Sequence, residues 1–177
     1  MTAPVIDQPS KLPVSLLPDL PSALLRVALA DFDRVRRMPE RFQIRMKAWH
    51  EAARPNFPCQ VCLAGAVMAM TLGAPDTSTL EAHSYMEVPV RFRDNTDDLR
   101  SPSVDLCDKL MAINYMRCGL VSWALWILKL RANPNERKYD LPAILYMGNE
   151  NADEDGSSIE WRTQMEQLIA MLEHDQL

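Results

Sequence analysis

Residues 61–72, VCLAGAVMAMTL, carry no charged side chain, and how they fold decides what can pack around them. Periodicity alone does not separate a buried helix from a buried strand in so short an apolar run. Its length, its Ala and Met content, and the Gly73 and Pro75 that follow favour a helix buried on most sides. Ala64, Gly65, Ala66 and Ala69 keep that helix slim, so neighbours can approach closely. It is the predicted centre of the fold.

Upstream, PNFPCQ at 55–60 reads as a Pro-marked joint. Pro39 suits the first position of a helix and Glu40 its positive end, while Phe42, Met46, Trp49 and Ala53 recur at steps of four, three and four. This predicts a second helix that ends before Pro55. From Ser22, Leu25, Ala28 or Leu29, Phe32 and Val35 form the stripe of a first helix. Residues 1–21 hold Pro4, Pro9, Pro13, Pro18 and Pro21, which excludes regular helix and predicts an extended arm. The arm's Leu12, Val14, Leu16, Leu17 and Leu20 imply that its second half lies against the body of the domain or against a partner subunit.

Downstream, Val88, Val90 and Phe92 alternate with polar residues and Pro89, which predicts a short β edge strand or hairpin near 86–93. Ser103 or Asp105 is placed to cap a further helix with Leu106, Leu110, Ile113 and Met116 on its buried stripe. Gly119 breaks it, and LVSWALWILKL (120–130) resumes with two apolar flanks, so the Cys118–Gly119 joint is expected to link two packed helices. Of the tryptophans, Trp49, Trp123 and Trp161 fall on buried stripes and Trp126 is expected at the surface. Ser157 and Glu160 form an S-x-x-E capping box ahead of Trp161, Met165, Leu168 and Leu172, the clearest helix signal in the chain. The expected class is mainly α: a single-domain bundle of about five helices, 22–177, around the buried helix 61–72, with the arm 1–21 outside it.

The chain has 177 residues, 47% hydrophobic and 24% charged, which suits one core and leaves little for a second. A net charge of -5 and a pI near 5.2 argue against a uniformly basic surface. Four Cys without a signal-like leader read as cytosolic thiols, so a cytoplasmic location is expected. No apolar stretch reaches about 18 residues, so no membrane partner is expected.

Cys59 and Cys62 have the C-x-x-C spacing used by metal sites and redox pairs. A structural zinc needs four ligands, and His50 and Cys107 are the most interesting additions. The same letters resemble the second half of the nucleic-acid deaminase signature, but His50 and Glu51 are adjacent where that signature separates them by one residue. A redox thiol at the amino end of the 61–72 helix would gain from the dipole, yet a preceding strand and a mainly parallel sheet are not expected. The plainer reading makes Cys62 a small buried hydrophobe and Cys59 its partly exposed neighbour, with no cofactor. A metal- or thiol-dependent enzyme using Cys59 and Cys62 stays open as an alternative function.

Charge is segregated along the chain. Residues 26–54 hold eight basic side chains against four acidic ones, and from 140 onward Arg162 stands alone against nine acidic residues. The two ends can pair within the molecule. Alternatively, Arg34, Arg36, Arg37, Arg41 and Arg45 form a patch for nucleic acid, or Glu150, Asp153, Glu154 and Asp155 meet a basic protein partner. A homodimer crossed by the apolar arm is a further expectation.

WHEAARPNFPCQVCLAGAVMAMTL (49–72) and DKLMAINYMRCG (108–119) resemble a group of small bacteriophage- and prophage-encoded proteins with a WH element, a C-x-V-C-L-A-G-A-V-M-A helix and an A-L-N-x-L-R-x-G helix end. Ile113 and Tyr115 depart from the Leu of that pattern, while Asn114, Arg117 and Gly119 match. The two stretches cover about a fifth of the chain. The resemblance implies a phage accessory protein in the bacterial cytoplasm that binds a host protein, such as a component of antiviral defence. Read physically, Asn114 can bond a neighbouring turn, Arg117 an acidic group near the helix end, and Gly119 can supply a left-handed cap. The leading expectation is therefore a non-enzymatic interaction protein that inhibits a host defence or nucleic-acid-handling protein.

Overall fold

A computed structural model describes residues 17–45, 49–76, 106–140 and 159–177; for residue 107 and for 159–161 it describes the backbone alone. Among the described residues the fold is mainly α, with five helices and one small sheet. In chain order these are α1 (Pro21–Arg36), β1 (Phe42–Ile44), β2 (His50–Glu51), β3 (Cys59–Val61), α2 (Leu63–Ala69), α3 (Leu106–Arg117), α4 (Val121–Ile127) and α5 (Ile159–His174). The expected strand near 86–93, the capping Ser157, and Glu150, Asp153, Glu154 and Asp155 lie outside the described residues.

The central helix is shorter than expected but placed as expected. Every residue of α2 is buried, and α1, α3, β2 and β3 pack around it. Its start is displaced, because Cys59–Val61 is the middle strand of the sheet and Cys62, in extended backbone, is the N-cap. Gly65 explains the close packing. A Cβ there would fall 1.6 Å from the carbonyl oxygen of Trp49, so only glycine lets the helix sit against that backbone.

The predicted helix over 39–53 does not form. Residues 42–44 pair in parallel with β3, Phe42 opposite Cys59 and Ile44 opposite Val61. His50 and Glu51 pair with Val61 and Gln60 in antiparallel fashion. The helical spacing of Phe42 and Trp49 is incidental, since Phe42 is buried from β1 and Trp49 from the bend ahead of β2. Phe42 and Ile44 point inward and Gln43 outward, a period of two that three residues are too short to display in sequence.

α1, α3 and α5 follow their stripes, whereas the apolar flank of α4 carrying Trp123 and Trp126, expected to be covered at Trp123, is half-buried there and exposed at Trp126. Leu25, Ala28, Leu29, Phe32 and Val35 of α1 are buried, as are Leu110, Ile113 and Met116 of α3 and Met165, Leu168 and Leu172 of α5. α3 ends in a Schellman motif: Leu120 N–H donates to Tyr115 C=O at 2.8 Å, Gly119 N–H to Met116 C=O at 3.0 Å, and Gly119 has φ +76°. Arg117 turns back to Asn114, its Nε and Nη2 donating to Oδ1 at 3.1 and 3.0 Å, so its partner is an amide and not the expected acidic group. α4 stops the same way one turn earlier than expected, with Lys129 at φ +59°.

The end of the N-terminal arm is held to the domain. Leu17 is buried, and the buried ammonium of Lys109 donates to Leu17 C=O and pairs with Asp19 Oδ1, both at 2.7 Å. The two ends of the chain also pair, through Arg26 with Glu173 at 2.7 Å and Arg162 with Asp33 at 2.8 Å. The first pair joins the basic region to the acidic one as expected, whereas in the second the lone arginine of the acidic region meets an aspartate of the basic region.

Candidate functional site

The sheet has one face toward α2 and one toward solvent, and the residues singled out for chemistry divide between them. On the inner face, Cys59 and His50 are fully buried. Cys59 Sγ lies 3.8 Å from Nδ1 and 3.7 Å from Nε2 of His50. The two ring nitrogens direct their proton or lone pair away from each other, so a sulfur almost equidistant from both is aimed at neither. This is a contact, without the alignment a general base needs to withdraw the thiol proton. Burial pushes the Cys59 thiol up to about 12; Asp76 and Glu51 reinforce the shift and Arg41 opposes it. The thiolate that nucleophilic or redox chemistry needs is therefore suppressed at neutral pH.

Cys59 is thus more enclosed than the sequence suggested, and it sits on the strand and not at the helix end. Cys62 takes that end: Gly65 N–H donates to its Sγ at 3.4 Å. Complete burial pushes this thiol up as well, against a lowering effect of Arg117 and the helix amides. The strand ahead of the C-x-x-C helix, which the redox reading lacked, does exist, but it is three residues long and places Cys59 away from the dipole. Among the described residues no three His, Cys, Asp or Glu side chains gather as a metal site. The side chain of Cys107 lies outside the described set.

The outer side is basic. A surface groove of about 480 Å³ is lined by Arg34, Arg37, Met38, Arg41, Ala69 and Met70, where the end of α1 meets the end of α2. Arg34 is steadied by the buried carboxylate of Asp31, 3.1 Å away, whose other oxygen accepts from Thr71 Oγ1. Arg41 is held by a two-pronged pair with Asp76, Nε at 3.0 Å and Nη2 at 2.9 Å, and the hydrogen bonds and charge of Asp76 hold its guanidinium more firmly protonated. Arg36 lies outside this groove, with its guanidinium 6.0 Å from the Phe32 ring centre.

Arg45 belongs to a second groove of about 240 Å³, shared with Glu51, Arg54, Phe57, Pro58 and Gln60. Arg45 Nη1 donates to Gln60 Oε1 at 3.0 Å, and Gln60 Nε2 donates to Gln43 Oε1 at 3.3 Å. Phe57 is 61% exposed on a tight two-residue turn, where Arg54 and Phe57 exchange backbone hydrogen bonds at 2.9 Å and Asn56 takes φ +70°. Pro55 and Asn56 suit the two central positions of such a turn. That dipeptide was the available signal for a hairpin with an aromatic beside it, and the sequence reading passed over Phe57, Arg54 and Gln60.

A third surface is aromatic. Tyr115, Trp123 and Trp126 form a ladder with ring centres 6.3 and 5.6 Å apart, the last pair edge to face. Trp126 is 44% exposed, as its sequence position suggested, and Leu130 is 41% exposed. No family model, curated protein or solved structure matches the chain. Among the described residues no helix is long and apolar enough to cross a membrane.

Proposed function

We propose that the protein is a non-enzymatic interaction module, a phage accessory protein that binds and inhibits a host defence or nucleic-acid-handling protein. The observation that carries this reading is the exposed end of the Tyr115–Trp123–Trp126 ladder. Exposed aromatics steadied by their neighbours are the side chains that dominate protein–protein binding energy, because they offer large apolar area at small entropy cost. The suppressed thiols of Cys59 and Cys62 favour binding over catalysis as the use of this fold. The residues resembling phage proteins have structural work in it: Trp49 offers its backbone to Gly65, and Asn114, Arg117 and Gly119 close α3.

Affinity capture from a bacterial host tests the proposal. The native chain is expected to retain a saturable protein partner. Trp126→Ala, at an exposed position, is expected to weaken capture by about 2 kcal/mol if Trp126 is a hot spot. A parallel capture with Asp153, Glu154 and Asp155 neutralised measures the share of the acidic segment. Recovery of no saturable partner, or equal recovery by Trp126→Ala, overturns the assignment.

A further inference from the structure

The outer face of the sheet combines three features. Phe57 projects its ring into solvent from a rigid turn, Arg45 and Arg54 line the same small groove, and Gln43 and Gln60 present side-chain amides on the strands between them. Gln43 in β1 and Arg45, whose N–H donates to Val61 C=O at 2.9 Å just beyond it, are two residues apart and project to one side, while Arg41 sits in the turn ahead of β1. Arg41 lines the first basic groove and Arg45 the second.

We infer that this face binds a single-stranded nucleic acid, with Phe57 stacking on an unpaired base and Arg41, Arg45 and Arg54 contacting its backbone. An acidic peptide would satisfy the guanidiniums and leave the Phe57 ring in water. A nucleotide presents a flat π face and a charged phosphate together, matching an aromatic flanked by guanidiniums. A duplex hides its base faces, so Phe57 has nothing to stack on there. Gln43 and Gln60 can exchange hydrogen bonds with base edges, each offering a donor and an acceptor. The opposing charges at this face are Glu51, 3.7 Å from Arg54, and Asp76, which holds Arg41 at 2.9 Å and leaves its Nη1 side for a phosphate. Acidic residues remote from the sheet are screened at physiological ionic strength, where the Debye length is about 8 Å.

Fluorescence anisotropy of the full chain with labelled ten-nucleotide oligo-dT and oligo-rU, a duplex of equal length and deca-glutamate decides the matter. Single strands are expected to bind more tightly than duplex, and three phosphate contacts give a log–log salt slope near about -2. Phe57→Ala should weaken binding at least about fivefold. Phe57→Trp should retain it, whereas Phe57→Leu, apolar but without a π face, should behave like Phe57→Ala. All three changes sit at an exposed position, and circular dichroism verifies the fold. The ratio of oligo-dT to oligo-rU affinity identifies the sugar. No single-strand binding, equal duplex binding, an unaffected Phe57→Ala, or displacement of the oligonucleotide by deca-glutamate at equal charge overturns the inference. Trp126→Ala is expected to leave oligonucleotide binding unchanged, so this result stands or falls apart from the protein-partner proposal.

Discussion

The two faces of the three-stranded sheet are made of alternate residues of the same short segments, yet their chemistry is opposite. Phe42, Ile44, His50, Cys59 and Val61 are buried on the side covered by α1 and α2, while Gln43, Arg45 and Gln60 face outward. The groups with the greatest intrinsic reactivity, a thiol and an imidazole, are on the sealed side, where the cost of burying charge keeps the thiol protonated. The groups with little intrinsic reactivity, guanidinium, amide and phenyl, are on the open side and are free to recognise. Location relative to water, more than residue type, sets what each side chain can do.

The largest expected effect strikes the inner side at its closest contact. Gly65→Ala puts a methyl into the Trp49 carbonyl and should lower unfolding free energy by about 4 kcal/mol or more, measured by urea denaturation. A cost below about 1 kcal/mol would show that α2 and the Trp49 segment can separate freely.

Next comes a paired comparison across one strand. Phe42→Ala, on the buried side, should cost about 3–5 kcal/mol. Gln43→Ala, its exposed neighbour, should stay within about 0.5 kcal/mol. Equal costs would mean that the strand does not have an inside and an outside.

The effect that is smallest at neutral pH, and grows in alkali, is one of titration. Cys59 has a folded-state pKa of about 12 against an ordinary value of 9.0, so the folded chain holds its proton more tightly than the unfolded one. Its contribution is complete below about pH 9 and is lost as pH rises toward 12. Thermal melts across that window should therefore show a steeper decline for the native chain than for Cys59→Ala. Iodoacetamide at pH 8 should leave Cys59 unmodified until denaturant is added, and rapid labelling of the native protein would mean the inner face is open.

Legibility in the sequence differed between regions for a physical reason. α1 and α5 each run 16 residues, several turns of a 3.6-residue period, so the apolar stripe repeats often enough to be read. Gly119 was legible as a helix stop because a left-handed residue leaves a local mark. The sheet was not legible, because its strands are two or three residues long and β1 pairs with β3 across the whole intervening hairpin. A segment carrying Phe42, Met46, Trp49 and Ala53 satisfies helical spacing equally well when read alone. The candidate site inherits this division. The Arg cluster was visible as composition, but its partition into two grooves, with Arg36 in neither, depends on how α1 meets the sheet. Phe57 gave only the weak sign of a Pro-Asn turn before it.

By itself, the amino-acid sequence determined the mainly helical class, the buried uncharged helix, the stripes of α1, α3 and α5, and the segregation of charge along the chain. These follow from local periodicity and composition. Tertiary structure alone decided that residues 42–44, 50–51 and 59–61 are strands, that Cys62 caps a helix while Cys59 is sealed beside His50, and that Phe57 stands in solvent in one groove with Arg45 and Arg54. Each of these is fixed by a partner distant in sequence or by access to water, and neither quantity is carried by a residue's immediate neighbours.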